Sequence, residues 1–255
     1  MANRNTESHF SQIPRANIRR ARFKRDYSNT TTINEGDIVP IYVDEVLPGD
    51  TISLTQNSLV RMATPIYPVM DNCYMDIYYF FCPYRLLWEH WENLMGQNDN
   101  SYWAPKTEYS VPQLTAPGGG WNEGTIADYM GIPTKVSNIS VNALPFRAYA
   151  RIWNEWFRDE NLQQPVVQDM DDANEAGSNN PPTYLDAAQR GGQPLKAGKM
   201  HDYFTSCLPE PQKGEASAVP SDIALNAEVI TTPRNHDVGG TALFWKPVSG
   251  NATAN

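Results

Sequence analysis

At 255 residues, with 20 prolines, 16 glycines, 19% charged residues and a formal net charge of -9, the chain can bury the core of one domain or a domain and a half, and it has the punctuation of a β-rich protein with long ordered loops. It has no run of about 18 apolar residues and no apolar h-region near its start, so neither a membrane span nor a signal peptide is expected. Cys73, Cys82 and Cys207 show no C-x-x-C spacing and an odd count; they read as reduced thiols packed as small hydrophobes in a cytosolic product, and the Asn29-Thr30-Thr31 sequon as a chance match.

The total charge hides an asymmetry. Residues 1–25 carry seven cationic side chains against Glu7, a net +6, which leaves -15 for the remainder. Few apolar anchors interrupt this stretch, so a poorly ordered arm is expected in an isolated subunit. Several Arg and Lys on an extended arm neutralise phosphates without reading bases, and Arg15, Arg19, Arg20, Arg22, Lys24 and Arg25 are the candidate contacts to nucleic acid or to an acidic neighbour. The plainer reading is a solvated tail.

From Gly36 the alternation of Val39, Ile41 and Val43 against Ile38, Tyr42 and Asp44 predicts a strand, with Pro40 at an edge or bulge. Leu47-Pro48-Gly49-Asp50 has Pro and Gly where a type II turn wants them, and Ile52 and Leu54 alternate on the return. Residues 73–82 are apolar on both alternating faces, which predicts a strand covered on both sides and ended by Pro83. A helix over residues 86–95 follows, with Leu87, Trp91, Leu94 and Met95 as a stripe and Gly96 at a left-handed C-cap.

Residues 97–122 read as an ordered surface excursion with scattered aromatics, including Trp103 and Trp121. A short helix over residues 125–130 is closed by Gly131 and Pro133. Pro145 opens a second helix, residues 145–158, whose Phe146, Tyr149, Trp153, Trp156 and Phe157 form one wide apolar face while Arg151 and Glu155 pair on the wet side. Residues 163–198 are acidic and Gly/Asn/Pro-rich, a loop. Order is expected again at 201–208, and two weak strands at 227–231 and 242–245. Short strands divided by long helix-bearing insertions fit an elaborated jelly roll.

Five long segments carry a resemblance: GDIVPIYVDEVLPGD (36–50), MATPIYPVMDN (62–72), the strand and helix start NCYMDIYYFFCPYRLLWEHW (72–91), NALPFRAYARIWNEWFRDENL (142–162) and HDYFTSCLPEPQKG (201–214). In order and spacing they resemble the major capsid protein of the gokushovirus branch of the Microviridae, small single-stranded-DNA phages. The resemblance implies a mainly β protein: a viral jelly-roll β-sandwich with long loop insertions containing short helices, in a family protein about twice this length, so that this chain is expected to cover only part of the barrel. It also implies a self-assembling icosahedral shell located in the virion and assembled in the host bacterial cytoplasm. Copies of the chain would be the main partners, with packaged single-stranded DNA, a small internal basic protein, and a host receptor met through a surface insertion. The expected organisation is a basic arm at 1–30, jelly-roll strands with helical insertions at 31–214, and the start of a variable surface insertion at 215–255. Subunit-interface candidates are Trp88, Trp91, Trp153, Trp156 and Phe157, with packing inside the chain as the plainer reading for both helices.

Catalytic alternatives are thin. Cys207 and His201 lie six residues apart without an oxyanion-forming turn, and Glu89, Glu92 and Glu155 read as solvated helix faces rather than a carboxylate pair. Asp169, Asp171 and Asp172 sit in a run with Ala173 at a ligand position and Gly177 too late for a calcium loop, so an acidic solvated loop is the reading. Gly118, Gly119 and Gly120 lack the strand and lysine of a phosphate cradle. His9, His90, His201 and His236 have no metal-ligand spacing. No enzyme, cofactor or metal is expected. The runner-up function is a carbohydrate-binding jelly-roll attachment module using exposed Trp103 or Trp121 as sugar platforms.

Overall fold

Phe146, Tyr149 and Trp153 recur at helical spacing, and in the computed structural model they face the core from helix α3 (Leu144–Ile152) and the first residue after it. The structure describes residues 20–98, 103, 107–180, 190–204, 206, 207, 214, 228–231 and 243–246. The chain divides into two units, Met1–Thr205 and Ser206–Asn255. In the first, Pro145 occupies the opening turn of α3, where its missing N–H costs nothing. The helix ends in a π-helical turn, Trp153–Phe157, in which the Arg158 N–H reaches the Trp153 carbonyl at 2.9 Å. This wider turn carries Trp156 off the buried face, so the predicted single apolar face continues to the half-buried Phe157 without Trp156, which stands 70% exposed. Arg151 and Glu155 pair at 2.8 Å as expected.

A three-stranded mixed sheet backs the helix. β1 (Gln113–Thr115) pairs antiparallel with β2 (Ser140–Asn142) and parallel with β3 (Glu175–Ala176). β1 lies within the stretch expected to be a surface excursion, and its central Leu114 is fully buried. Trp121, expected on that surface, is also fully buried, with its indole N–H donating to the Arg190 carbonyl at 3.3 Å. Two glycines make room for the ring: a Cβ on Gly177 would lie 2.9 Å from Trp121 Cζ2, and one on Gly191 2.9 Å from its Nε1. The sugar-platform reading of Trp121 is therefore corrected. Both glycines belong to the Gly/Asn/Pro-rich stretch predicted as a loop.

Polar tips fasten loops to this core. The Tyr149 hydroxyl donates to the Ile38 carbonyl (2.7 Å) and accepts from the Leu195 N–H (2.9 Å), and the Trp153 indole donates to the Lys196 carbonyl (2.7 Å). Burial pushes the Tyr149 phenol well above its ordinary range, so it stays a donor. Helix α2 (Ile126–Tyr129) has Thr125 as N-cap, accepting from the Asp128 N–H, while the Asp128 carboxylate accepts from the Gly124 N–H. Gly131, at φ 87°, closes it as predicted.

The predicted helix at 86–95 is split. A 3₁₀ turn (Tyr84–Leu86) is followed by a short helix, α1 (Trp91–Leu94). Tertiary bonds break it: the Glu89 N–H goes to the Met170 carbonyl at 3.1 Å, and Leu87 and Trp88 turn fully inward to pack with Leu144. Of the predicted stripe, Met95 is exposed. The C-cap is as predicted, a Schellman motif in which Gln97 N–H bonds Glu92 O (3.0 Å), Gly96 N–H bonds Asn93 O (3.1 Å) and Gly96 has φ 114°.

Residues 37–82 depart most from expectation. The Leu47–Asp50 turn forms, with Asp50 N–H to Leu47 O at 3.1 Å and Gly49 at φ 86°. The Ile38 N–H bonds Leu195 O, and Asp37 bridges Lys196. Beyond that the chain runs without a ladder, and residues 73–82, predicted to be covered on both faces, leave Tyr74 and Phe81 about four-fifths exposed. A strand is a pairing rather than a local state, and the described residues supply no partner here. In the second unit β4 (Glu228–Thr231) and β5 (Leu243–Lys246) pair antiparallel, close to the two weak strands expected.

Candidate interaction surface

Alternating β-branched and aromatic residues with no ladder partner leave an unusually apolar surface. Val43, Ile52, Leu54, Leu59, Met62, Ile66, Tyr67, Met70, Tyr74 and Phe81 are all exposed along residues 42–81. Folded monomers rarely expose more than a few hundred Å² of contiguous apolar surface unless it meets something. The segment is anchored at its end: Phe80 packs on Trp156 and Phe157 with ring centroids 5.6 and 5.7 Å apart, and Tyr78 meets Phe157 edge-on at 5.5 Å. Tyr84 donates to Glu45 at 2.6 Å, and Tyr79 donates to Gln56.

The visible part of the arm is tied to this segment by side chains. Arg20 donates to the Gly49 carbonyl at 2.6 Å, Arg25 pairs with Asp44 at 2.5 Å, Tyr27 meets Tyr42 edge-on at 5.2 Å, and Asn29 reaches the Ile41 carbonyl. The Tyr42 hydroxyl also donates to Asp44 at 2.7 Å. That bond, with Arg25 beside it, outweighs burial and holds the Asp44 carboxyl below its ordinary value. Lys24 pairs with Asp26 at 2.8 Å. Of the six predicted basic contacts, Arg20, Lys24 and Arg25 have partners within the chain, Arg22 has none among the described residues, and Arg15 and Arg19 lie outside them. Asp44, Tyr42 and the carbonyls of Ile41 and Gly49 offer these partners, while residues 20–29 stay exposed throughout.

Among the predicted interface residues, Trp88 and Trp153 fill the chain's own core, Trp91 is half-buried against Tyr84 at 4.7 Å, and Phe157 is half-buried. Only Trp156 presents most of its ring to solvent. Cys73 and Cys207 are exposed rather than packed, and Cys82 is half-buried, its thiol pushed upward by burial. No cluster of three or more metal-ligating side chains occurs among the described residues, and none of their helices is long and apolar enough to cross a membrane.

The predicted acidic loop keeps Asp171 and Asp172 exposed, yet part of it is structural. Arg147, fully buried on α3, donates from Nε and Nη2 to Glu175 Oε1 (3.0 and 2.8 Å) and from Nη1 to the carbonyls of Leu87 (3.3 Å) and Asp171 (2.9 Å). Asp172 accepts from the Trp88 indole (2.5 Å) and from His90 Nδ1 (2.9 Å), and His90 stacks on Tyr109 at 4.2 Å. Burial raises the Asp172 carboxyl, but these two donors outweigh it and keep it below its ordinary value. Sequence reasoning passed over Arg147 because a lone Arg on an apolar helix face looks like an edge residue. The signal was Arg147 three residues from both Leu144 and Ala150, within the buried stripe.

An apolar extended segment without a ladder partner among the described residues, with an arm strapped to it, describes a surface fit to be covered. The family model for capsid protein (F protein) matches residues 11–249. The chain belongs to that family of phage capsid proteins. It is 43% identical to capsid protein VP1 of Bdellovibrio phage phiMH2K over 91% of its length and 41% of the relative's. Identity to VP1 of Spiroplasma virus 4 is 40%, over 94% of the chain and 43% of the relative. For VP1 of Chlamydia phage 1 it is 41%, over 84% and 37%. The chain thus spans about two fifths of the length of these relatives. They are of the gokushovirus type that the five segments resemble, and the capsid family is consistent with a structural rather than catalytic role.

Proposed function

We propose that the chain serves in the major capsid protein of a small single-stranded-DNA phage, building by self-assembly an icosahedral shell that encloses the genome. The observation that carries the reading is the exposed apolar segment at 42–81 in a chain whose relatives are capsid proteins more than twice as long. In this reading residues 37–82 are strands of a jelly-roll β-sandwich whose ladder partners come from polypeptide outside the described residues. Burial at about 25 cal/mol per Å² of apolar surface drives them together, and many modest contacts between copies sum to a stable shell. The virion is then the site of residence, after assembly in the host bacterial cytoplasm. The arm, with Arg15, Arg19 and Arg22, faces packaged DNA or a small internal basic protein, and the region from 215 onward begins the insertion that meets a host receptor.

Support for the ladder reading comes from the alternation at 39–43 and 73–82, which local structure leaves unused. The test is hydrogen exchange on particles sedimented from expressing cells, against the unassembled chain. Amides of 39–43 and 73–82 should be protected at least a hundredfold more in the particle. Failure to form a shell-sized species, or equal exchange in both states, sinks the reading.

A further inference from the structure

Residues 20–29 lie along residues 41–49 in a fixed order. Arg20 meets Gly49, Arg25 meets Asp44, Tyr27 meets Tyr42 and Asn29 reaches Ile41. Five residues forward along the arm, from 20 to 25, go with five back, from 49 to 44, and two more forward, to 27, go with two more back, to 42. Equal and opposite steps of this kind are the register of an antiparallel β-ladder. Among the described residues, however, no backbone hydrogen bond joins the two segments. We propose that residues 25–28 are a strap poised to close on residues 41–44 as an antiparallel β-strand, and that the closed strap guards this edge against pairing with a second copy of the unassembled chain. The inference goes beyond the shell reading: it takes one edge of 41–44 and leaves to the shell the other edge and the whole of 73–82.

Backbone parity agrees with the side-chain register. The Ile38 N–H bonds the Leu195 carbonyl at 2.8 Å and the Gly36 carbonyl accepts from the Ala197 N–H at 2.9 Å, so positions 36 and 38 face the 195–197 segment. Alternate residues of an extended chain present their N–H and C=O groups to the same edge. Pro40, with no N–H to offer, continues that edge beyond the Asp37–Lys196 bridge, and 41 and 43 turn to the opposite edge, toward the arm. Closure then makes hydrogen-bonded pairs of Asp26 with Val43 and of Ser28 with Ile41. Arg25 with Asp44 and Tyr27 with Tyr42 become the non-hydrogen-bonded pairs, the kind in which side chains stand closer. Those are the two pairs already in contact, at 2.5 Å between the charged groups and 5.2 Å between ring centroids.

The ends of the ladder are marked as well. The Asn29 side-chain amide, 3.5 Å from the Ile41 carbonyl, stands at the acceptor that the Ser28 N–H takes on closing. Past Asp44, the Glu45 N–H is held by the Asp44 carboxylate at 3.0 Å, which stops the pairing there. Without the strap, an exposed run that includes Tyr42 and Val43 offers its unpaired N–H and C=O groups as a template for another chain. A two-stranded pair of this length is marginal in water, so closure is a balance that one charge pair can tip.

The test reads residue-resolved amide exchange by NMR on the unassembled full chain, so its result is independent of whether a shell forms. Against their intrinsic rates, Asp26, Ser28, Ile41 and Val43 should exchange about 3- to 10-fold more slowly than Arg25, Tyr27, Tyr42 and Asp44, the modest protection of a marginal ladder. Arg25→Asp sets like charges opposite each other and should lower the closed-to-open ratio about 2- to 30-fold, while Arg25→Asp/Asp44→Arg restores the opposed pair and should recover part of it. In light scattering, Arg25→Asp should associate faster than the parent and the double variant should fall back toward it. Near-UV circular dichroism from the buried Trp88 and Trp121 checks that the core is unchanged in both variants. Uniform exchange across the two segments, slowing at Arg25 and Tyr27 instead, or an alternation untouched by Arg25→Asp overturns the strap. Alternation with unchanged scattering overturns the guarding role.

Discussion

Replacing Arg147 by Met removes the cation that holds two separate segments, at Leu87 and at 171–175, against α3. The guanidinium makes two bonds to Glu175 Oε1 and one each to the carbonyls of Leu87 and Asp171, while its side chain is wholly buried and that of Glu175 is 10% exposed. Asp171 Oδ1, at 3.4 Å with a side chain 61% exposed, adds little. Met keeps the volume and apolar stem, so the loss is electrostatic: the Glu175 carboxylate stays in place without its counter-charge. Breaking a buried pair from one side costs about 3–5 kcal/mol, a large fraction of the ~5–15 kcal/mol that holds a domain together. At ~2–4 °C per kcal/mol for a domain of this size, the melting temperature should fall by about 6–20 °C. The double variant Arg147→Met/Glu175→Met should lose clearly less than the sum of the single losses, since it leaves no stranded charge. Thermal and urea unfolding followed by near-UV circular dichroism, where the buried Trp88 and Trp121 report, measures both. A loss under about 1 kcal/mol for Arg147→Met, or strict additivity in the double, refutes the keystone role.

Trp121→Ala should cost about 3–5 kcal/mol in the same unfolding assay, because β1, α2 and the 190–192 segment close around that ring and cannot collapse into the space; a loss below 1 kcal/mol places the ring at the surface after all. Gly120→Ala should be strongly destabilising, since φ is 79° and the added Cβ would fall 2.4 Å from the Val136 nitrogen, whereas Gly96→Ala, with φ 114° and open space around it, should cost only the backbone strain of about 1–2 kcal/mol; equal losses at the two sites contradict the close approach at 120. Asp44→Asn should loosen the arm and speed tryptic cleavage after Arg25 at neutral pH. Because the Asp44 carboxyl is depressed in the folded chain, its contribution is present above the ordinary carboxylate range and disappears as pH falls through the lowered value. A carbon-13 carboxyl titration of Asp44 with a midpoint at or above the ordinary ~3.9 contradicts that.

Features set within a few residues were legible in the chain itself. Pro48-Gly49 made its turn, Thr125 capped α2, Gly96 closed a Schellman motif and Arg151 found Glu155, because each depends on backbone preference or one-turn spacing. The family was legible too, since five long segments carry it. Three-dimensional partnership decided the rest. The helix predicted over 86–95 broke where Glu89 found Met170 and Trp88 found Asp172, and the surface excursion folded inward because Gly177 and Gly191 leave room for Trp121. Asp171 and Asp172 are exposed as expected, but Glu175, in the same predicted loop, is the counter-charge of a buried Arg147 that lies 28 residues away. The alternation at 73–82 announces a strand, but a ladder needs a second set of N–H and C=O groups at matching register, and periodicity within one segment says nothing about where that second set lies.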